Sequence, residues 1–486
     1  MVRKRRKKSV EIESAGFVSP KIRPRKLPKY VIAELRHDSR IAYESTGFAG
    51  PATVEKTFKE LNQILSKFHV KRIESHFGMH TRQIRKHSTE APSTLKQKVT
   101  AEFAQAGFIR ITPRAVKDAD SLVKHLNKSK AVWKAVLPPE LTPAGAATGT
   151  STASRNFEPS QGYLHSAPNG IAAMQAWAKF RAHGRGVTIC DIEGNWNFTH
   201  EDLPRIRHIG GTLINNLGWR NHGTAVLGEM LSQPNRFGTV GISHRARGFV
   251  QSFIVGGIDN PAAAIVNATA KLKKGDIILI ELQARSPLTG KYIALQYWGD
   301  IASAIRAAVD KGITVVEAAG NGNENFNLPI YNNSGLQKDY GAIVVGAGIP
   351  PTNHFDYFGP DYGFNRYEWI GNPRSRIWFS NYGRIVNVQA WGWHVTSCGY
   401  GDAQGGPDEN RWYTLRFSGT SSASPIVTGA AACIQSRALA KYNKPLLPKK
   451  LRALLIKTGT PQVAGPRPLS ERIGPQPNLL KALAMV

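Results

Sequence analysis

The 486-residue sequence has few cysteines, few acidic residues and no long apolar run. Cys190, Cys398 and Cys433 are too few for a disulfide framework, and their spacing fits no zinc site. Cys190 and Cys433 lie in apolar runs, which predicts buried thiols. No apolar stretch reaches the ~18 residues of a membrane span, and none follows the basic N terminus as in a secretory signal. We therefore expect no membrane span and a cytoplasmic location.

The shortage of acidic residues leaves 64 Lys and Arg against 34 Asp and Glu, a net charge of +30. Residues 1–138 alone hold 30 basic and 12 acidic residues, and the densest run is VRKRRKK at Val2–Lys8. Such a run can bind nucleic acid or acidic lipid by counterion release, or it can be a solvated, disordered arm. Because no nucleic-acid-reading motif accompanies it, we interpret residues 1–29 as a flexible arm and expect no nucleic-acid partner.

Residues 30–137 have the pattern of a small α+β domain. Strand patterns at 30–37, 69–77, 107–112 and 131–137 alternate with helical patterns at 53–68 and 115–127. The resulting order, β-α-β-β-α-β, is the ferredoxin-like arrangement. Residues 138–160 are rich in Pro, Ala, Gly, Ser and Thr, which indicates a linker.

Residues 161–486 have the pattern of a larger α/β domain. Continuous apolar runs occur at 186–191, 248–255, 276–282, 313–319, 342–347 and 385–391. Helical patterns follow His222 and Ser421 and cover 262–272, 292–310 and 449–457. Runs of Val and Ile predict strands buried on both faces, hence a mostly parallel central sheet in a three-layer fold. The aromatic-rich stretch 350–376 is either a lid that contacts substrate or a packed surface excursion.

Four motifs in this domain place reactive side chains at strand ends or helix starts. ICDIEGNWNFTHEDL puts Asp191 at the end of a buried strand, and NHGTAVLGEM puts His222 at the opening of a helix. FSGTSSASPIVTGAAA puts Ser421, and Pro425 with it, in the first turn of an apolar helix. A serine hydroxyl needs an adjacent base, histidine suits that role, and a buried aspartate holds its tautomer. Asn321, in AAGNGNEN, follows a strand and can donate to an oxyanion together with the Ser421 amide.

The chain order Asp, His, Asn, Ser and the strings NHGT and GTSSASP resemble the subtilase family of serine peptidases. The resemblance extends from about Gln161 to the C terminus and implies a subtilisin-like fold and endopeptidase activity. It implies a triad of Asp191, His222 and Ser421, with Asn321 in the oxyanion hole.

The first motif departs from the family pattern. Family members more often carry a small residue and a glycine directly after the aspartate, whereas Ile192 and Glu193 follow Asp191 here. The loop that begins at Asp191 is therefore longer than usual, and HEDL at His200–Leu203 resembles the family's loop ending.

The resemblance also points to a substrate-binding strand, IILIELQA. It implies that Glu281, Leu282, Gln283 and Gly320 border the substrate, whose backbone adds to this edge as a strand. Small residues are common in the family where Glu281 and Gln283 stand. Glu281 either favours basic substrate residues or is a structural residue that points away.

The N-terminal domain resembles the subtilase propeptide in its order of elements and its position. The resemblance implies that residues 30–137 assist folding and act as an intramolecular inhibitor, with self-cleavage within 138–160. A permanently attached accessory domain is the alternative. Protein or peptide substrates are the expected partners. We predict no cofactor and no calcium site, since 350–376 lacks EF-hand spacing.

Two other functions compete with a self-processing endopeptidase. One is a catalytically silent protein that keeps the subtilase fold and only binds. The other is a protein that binds nucleic acid or an acidic surface through its basic arm. Intact Asp191, His222, Asn321 and Ser421 favour the enzyme.

Overall fold

The computed structural model describes residues 30–35, 42–44, 47–49, 55–75, 108–129, 132–138, 154–351 and 371–486. The predicted arm, most of the predicted linker and the centre of the 350–376 stretch lie outside the described residues. The predictions made for them stay predictions.

The described part of the N-terminal domain contains a four-stranded antiparallel sheet, a separate two-stranded hairpin and two helices. Its strands are β1 (Val31–Leu35), β2 (Ala42–Glu44), β3 (Gly47–Ala49), β4 (Arg72–Ser75), β5 (Phe108–Thr112) and β6 (Val132–Val136), and its helices are α1 (Glu55–Lys67) and α2 (Ala119–Leu126). The sheet order β4-β5-β1-β6 is that of the ferredoxin-like arrangement, as predicted. The hairpin β2–β3 is an addition that no sequence pattern predicted.

The two faces of this sheet pack against different partners. Along β1, Val31 and Ala33 join the domain's own core with α1 and α2. Tyr30 and Ile32 instead join an apolar cluster of the larger domain, because successive side chains of a strand point to opposite faces. The Tyr30 hydroxyl donates to the Asp259 carbonyl oxygen over 2.6 Å.

The larger domain is built on a seven-stranded sheet whose neighbouring strands all pair in parallel. Its strands are β7 (Thr188–Glu193), β8 (Arg207–Gly210), β9 (Arg247–Ser252), β10 (Ile254–Val255), β11 (Ile258–Asp259), β12 (Ile277–Ile280), β13 (Gln283–Arg285), β14 (Tyr292–Ala294), β15 (Thr314–Ala318), β16 (Ile343–Gly348), β17 (Val386–Trp391), β18 (Val395–Cys398) and β19 (Tyr413–Phe417). Its helices are α3 (Ala173–Phe180), α4 (Leu217–Leu231), α5 (Pro261–Lys271), α6 (Gly299–Asp310), α7 (Thr420–Tyr442), α8 (Pro448–Thr458) and α9 (Leu479–Ala484). The order of the large sheet is β17-β16-β15-β12-β7-β9-β8, and the predicted α/β class is confirmed.

Helices cover both faces of this sheet, which gives the predicted three layers. In β7, Ile189 faces the layer that contains α4 and α7, whereas Cys190 and Ile192 face the layer that contains α5 and α6. The three cysteines are buried and free. Among the described residues, no helix is both long and apolar enough to span a bilayer.

Three local predictions were wrong. The helix predicted over 292–310 begins only at Gly299, because Tyr292–Ala294 pairs as β14 with β13. The helix of His222 begins at Leu217, where the Asn216 side chain accepts a hydrogen bond from Trp219 N and caps it. His222 therefore lies inside the helix, not at its opening.

The third error concerns Pro425. Ser421 does lie in the first turn of α7, but Pro425 is the sixth helical residue. Its missing N–H would otherwise donate to the Ser421 carbonyl oxygen. The proline thus removes one helical hydrogen bond close to the predicted nucleophile.

A buried arginine anchors the loops next to the predicted oxyanion residue. The Arg376 side chain is fully buried, and its Nε donates to Glu471 Oε2 over 2.7 Å. Its Nη2 donates to Asn323 Oδ1 over 3.0 Å, and its guanidinium lies 4.4 Å from the Tyr382 ring centroid. Asn323 follows Asn321 by two residues, so this ion pair fixes the loop that carries the site.

Removing one partner of a buried ion pair leaves the other charge uncompensated, which costs about 3–5 kcal/mol. We expect Arg376→Met to lower the free energy of unfolding by about that amount in urea denaturation. Arg306→Met is the matched control, because the Arg306–Asp310 pair is exposed and such pairs contribute about 0–1 kcal/mol. Equal losses in the two variants would contradict the anchoring role.

Candidate active site

Ser421 is the second residue of α7, and a glycine delivers it there. Gly419 has φ +115°, a conformation that side-chain-bearing residues rarely adopt. The Ser421 amide belongs to the first turn, where N–H groups have no acceptor within the helix. The residue is 7 % exposed, so its hydroxyl lies at the surface of the apolar layer and not deep within it.

His222 lies on α4, which packs directly against α7. The imidazole is 1 % exposed, and its Nδ1 lies 2.6 Å from Glu193 Oε1. The two atoms are in close contact, but the geometry is not that of a hydrogen bond, and neither Nδ1 nor the two Glu193 carboxyl oxygens are hydrogen-bonded within the described residues. The other side of the ring packs edge-to-face on Phe417, with centroids 5.3 Å apart. Phe417 ends the strand that leads into the serine helix.

Asp191 is fully buried, and its Oδ2 accepts a hydrogen bond from Trp196 Nε1 over 2.7 Å. Gly223 makes room for this tryptophan, because a Cβ there would lie 2.6 Å from Trp196 Cδ1 and 2.4 Å from the Asn195 carbonyl oxygen. The loop after β7 therefore lies directly on the histidine helix. β7 itself continues past Asp191 to Glu193, so Asp191 does not end the strand as predicted.

Asn321 is held in one orientation by Thr420. The Thr420 amide donates to Asn321 Oδ1 over 2.8 Å and its hydroxyl does so over 3.0 Å. Because an amide oxygen only accepts and an amide nitrogen only donates, the two bonds fix Nδ2 on the opposite side. Gln283 Oε1 accepts a hydrogen bond from Asn321 N over 2.8 Å and so supports the same residue from behind.

Two donors converge beside Gly419. A Cβ built on Gly419 would lie 3.0 Å from Asn321 Nδ2 and 3.5 Å from Ser421 N. Asn321 Nδ2 and Ser421 N therefore lie near each other beside Gly419, as the two donors of an oxyanion hole must. Gly320, at φ +92°, donates its N–H to Thr420 Oγ1 over 3.1 Å and ties the two loops together.

The predicted substrate-binding side chains divide into two groups. Gln283 and Gly320 lie at the edge of the site, next to Asn321. Glu281 and Leu282 are 2 % and 0 % exposed, so neither side chain can line an open specificity pocket. Glu281 points into the layer that contains α7, where it is hydrogen-bonded to Ser424 Oγ. Glu281 therefore contacts Ser424 and also Ser421 inside the protein, and its burial does not fit a pocket for basic substrate residues.

Burial governs the electrostatics of the site. It lowers the pKa of His222 to about 4, against an opposing effect of Asp191. It raises the pKa of Asp191, an effect that the charge of Glu193 reinforces and that the Trp196 hydrogen bond reduces. Burial also raises the pKa of Glu193 and of Glu281. Within the described ranges, no group of three or more His, Cys, Asp or Glu is arranged to hold a metal ion.

Residues 188–474 match the model of the subtilase family of peptidases. The chain belongs to the subtilase family. The matched segment begins at β7, the strand with Asp191 and Glu193, and it includes His222, Asn321 and Ser421. The resemblance seen in the sequence is confirmed.

Relatives of this subtilase include a subtilisin-like proteinase of Pyricularia oryzae, which is 25 % identical over 57 % of this chain and 47 % of its own length. An intracellular serine protease of Paenibacillus polymyxa is 26 % identical over 62 % of this chain and 82 % of its own length. The chain thus covers less than half of the first relative. A protease from Pseudoalteromonas arctica has a similar structure, with a TM-score of 0.48, 19 % identity and coverage of 69 % of this chain and 99 % of that one.

The contact of Glu193 with His222 was not predicted from the sequence. A signal was present, because Glu193 and not Asp191 stands directly before a glycine, Gly194. In the family pattern one small residue separates the aspartate from the glycine, whereas two residues separate Asp191 from Gly194 and none separates Glu193 from it. Asp191 and Glu193 have equal claims by composition, and only the position of Trp196 separates them.

The hydrogen bonds of Ser424 indicate that Glu281 is a neutral carboxylic acid. Ser424 Oγ donates to the Thr420 carbonyl oxygen over 2.7 Å and also bonds Glu281 Oε1. A hydroxyl has one proton, so Ser424 can donate to only one of these two oxygens at a time; a protonated Glu281, which burial favours, would supply the proton of the other bond. Burial raises the pKa of Glu281, and hydrogen bonds with Ser424 and Ser421 only partly offset this.

We expect Glu281→Gln to remain as stable as the wild type within about 1 kcal/mol at neutral pH, since the amide still donates to Ser424. Glu281→Ala removes that donor and leaves a cavity, at a cost of about 2–4 kcal/mol. A carboxyl whose pKa is raised by folding stabilises below its unfolded pKa and loses this contribution as pH rises through the folded value. In urea denaturation at alkaline pH, the free energy of unfolding of Glu281→Gln should therefore rise relative to that of the wild type. If Glu281→Gln instead loses as much stability as Glu281→Ala, Glu281 is not neutral.

Proposed function

We propose that this subtilase is a serine endopeptidase with Ser421 as nucleophile, His222 as base and Asn321 as oxyanion donor. The observation that carries the proposal is the proximity of Asn321 Nδ2 and Ser421 N beside Gly419. Hydrogen-bond donors so placed match the needs of acyl transfer. The substrates are proteins or peptides, as in proteases of this family.

The proposed reaction assigns one role to each of these groups. Ser421 Oγ attacks the peptide carbonyl carbon while its proton moves to His222 Nε2. The carbonyl oxygen gains negative charge and is bound by the Asn321 and Ser421 N–H groups. His222 then gives the proton to the leaving amine, and water releases the acyl group by the same steps in reverse order. A carboxylate on Nδ1 stabilises the imidazolium that forms in between.

A fluorophosphonate probe is expected to label the wild type and not Ser421→Ala. We expect Asn321→Ala to lower kcat for a peptide substrate by ~10²–10³ with little change in KM, because the donor acts on the transition state. Asn325→Ala is the matched control in the same loop and should keep a kcat close to that of the wild type. Equal labelling of wild type and Ser421→Ala would rule out the enzyme and favour a silent binding protein.

We further propose that the N-terminal domain is a propeptide that the enzyme itself removes. Its sheet packs on the face of the peptidase domain formed by α5 and α6, through Tyr30 and Ile32. Trp298 Nε1 donates to the Leu137 carbonyl oxygen over 3.2 Å, and Lys134 Nζ lies 4.9 Å from the Tyr297 ring centroid. These contacts hold the C-terminal end of the N-terminal domain next to the peptidase domain. The predicted cleavage region, residues 138–160, follows this end in the sequence.

Glu34 makes this contact sensitive to pH. Burial, and then the charge of Asp300, raise the pKa of Glu34 to about 7, while Lys134 and Lys338 oppose the shift; Tyr340 lies in the same surroundings. The docked state thus favours the neutral acid. Docking is strongest below the ordinary pKa of 4.5 and weakens as pH rises through about 7.

N-terminal sequencing after incubation is expected to find a new terminus between residues 138 and 165 in the wild type and none in Ser421→Ala. Once cleaved, the N-terminal fragment should dissociate faster at pH 8 than at pH 6, as measured by size-exclusion chromatography. Glu34→Gln should remove this difference, whereas Glu60→Gln, on the exposed side of α1, should keep it. A full-length chain in both proteins would instead support a permanent accessory domain.

A further inference from the structure

β7 presents two carboxylates to the same layer of the protein. Asp191 and Glu193 are two residues apart, so both point to the face that Ile189 shares with α4 and α7. Both are fully buried. The strand is fixed in register on both sides, with Asp191 opposite Leu279 of β12 and Glu193 opposite Ser252 of β9. The two carboxylates therefore cannot exchange places by a slip of the strand.

The two residues have different direct contacts, although Asp191 is also near enough to His222 for each to shift the pKa of the other. Glu193 Oε1 lies 2.6 Å from His222 Nδ1. Asp191 Oδ2 is instead bonded to the indole of Trp196, and Gly223 lets that indole lie against the histidine helix. Glu193 is also about 7 Å nearer the carboxyl edge of the sheet, at ~3.3 Å per residue. This is the edge at which Asn321 follows β15.

We propose that Glu193, and not Asp191, is the residue that positions the His222 imidazole for catalysis. The proposal rests on the proposed function. In this arrangement the Nδ1 proton stays between His222 and Glu193 throughout the reaction, while Nε2 takes the proton of Ser421 Oγ and returns it to the leaving amine. Asp191 is a structural carboxylate held by Trp196.

The protonation state of Glu193 determines which ring nitrogen of His222 carries the proton. When Glu193 is ionised its carboxylate only accepts, so Nδ1 carries the proton and Nε2 is the free base; the protonated acid, which burial favours, would instead donate to Nδ1. An amide at position 193 can donate to Nδ1 and thereby move the proton to Nε2, where it blocks attack by Ser421. An amide at position 191 leaves the Nδ1 contact unchanged.

The first experiment compares Glu193→Gln with Asp191→Asn, the same change of carboxylate to amide on one strand. In full-length protein labelled with ¹⁵N-histidine, the ring nitrogen shifts of His222, assigned with His222→Gln, report the tautomer at pH 7. We expect Nδ1–H in the wild type and in Asp191→Asn, and a shift towards Nε2–H in Glu193→Gln. The opposite result overturns the proposal, and this readout holds whether or not the protein turns over substrate.

The second experiment measures the rate of fluorophosphonate labelling between pH 5 and 9. By comparison with the loss of a triad carboxylate, we expect Glu193→Gln to slow labelling by ~10³–10⁴, with partial recovery in Glu193→Asp. Asp191→Asn should lose about tenfold or less. A larger loss in Asp191→Asn, or equal losses in both, overturns the assignment. No labelling of the wild type together with the expected tautomers would refute the proposed function and retain the Glu193–His222 contact.

Discussion

The buried imidazole of His222 and the carboxyl groups packed around it set the main constraint on this protein. The parallel register of β7 and β12 brings Asp191, Glu193 and Glu281 to one edge and one face of the sheet, where water is excluded. An uncompensated charge there is costly, so each carboxyl needs its own partner. Glu193 has the imidazole, Asp191 has an indole N–H, and Glu281 keeps its proton and donates it to a serine.

Small residues make this arrangement sterically possible. The serine helix α7 is buried over most of its length, and its run of Ala, Ser and Gly lets the sheet and α4 approach closely. Gly223 admits the loop after β7, and Gly419 turns the chain so that the first amide of α7, that of Thr420, meets Asn321 Oδ1. The positive end of a helix dipole then faces the place where negative charge develops. Positioning of the nucleophile and stabilisation of the oxyanion thus have one structural cause.

Much of this was predictable from the sequence, because the strongest patterns have a simple physical origin. Runs such as DIILIEL and ITVVEAA predict strands buried on both faces, and their parallel order places the side chains that follow them at one edge. The positions of Ser421 and Asn321 near strand ends or helix starts were predicted from the short sequence motifs that contain them. The extent of α4 was missed because its start depends on the Asn216 cap and not on the apolar pattern, and Tyr292–Ala294 was taken for helix because its pairing with β13 is a tertiary contact. The contact between Glu193 and His222 was not predicted because strand alternation treats Asp191 and Glu193 alike.

The choice between those two carboxylates depends on packing that lies outside the strand. Because β12 and β9 fix the register of β7, Asp191 could replace Glu193 beside His222 only by a movement of side chains. Trp196 prevents that movement, since its indole is wedged between the Asp191 carboxylate and the backbone of the histidine helix at Gly223. A larger residue at 223 would expel the indole and free Asp191. The identity of the general-base partner is therefore decided by a glycine and a tryptophan that never contact the reacting atoms.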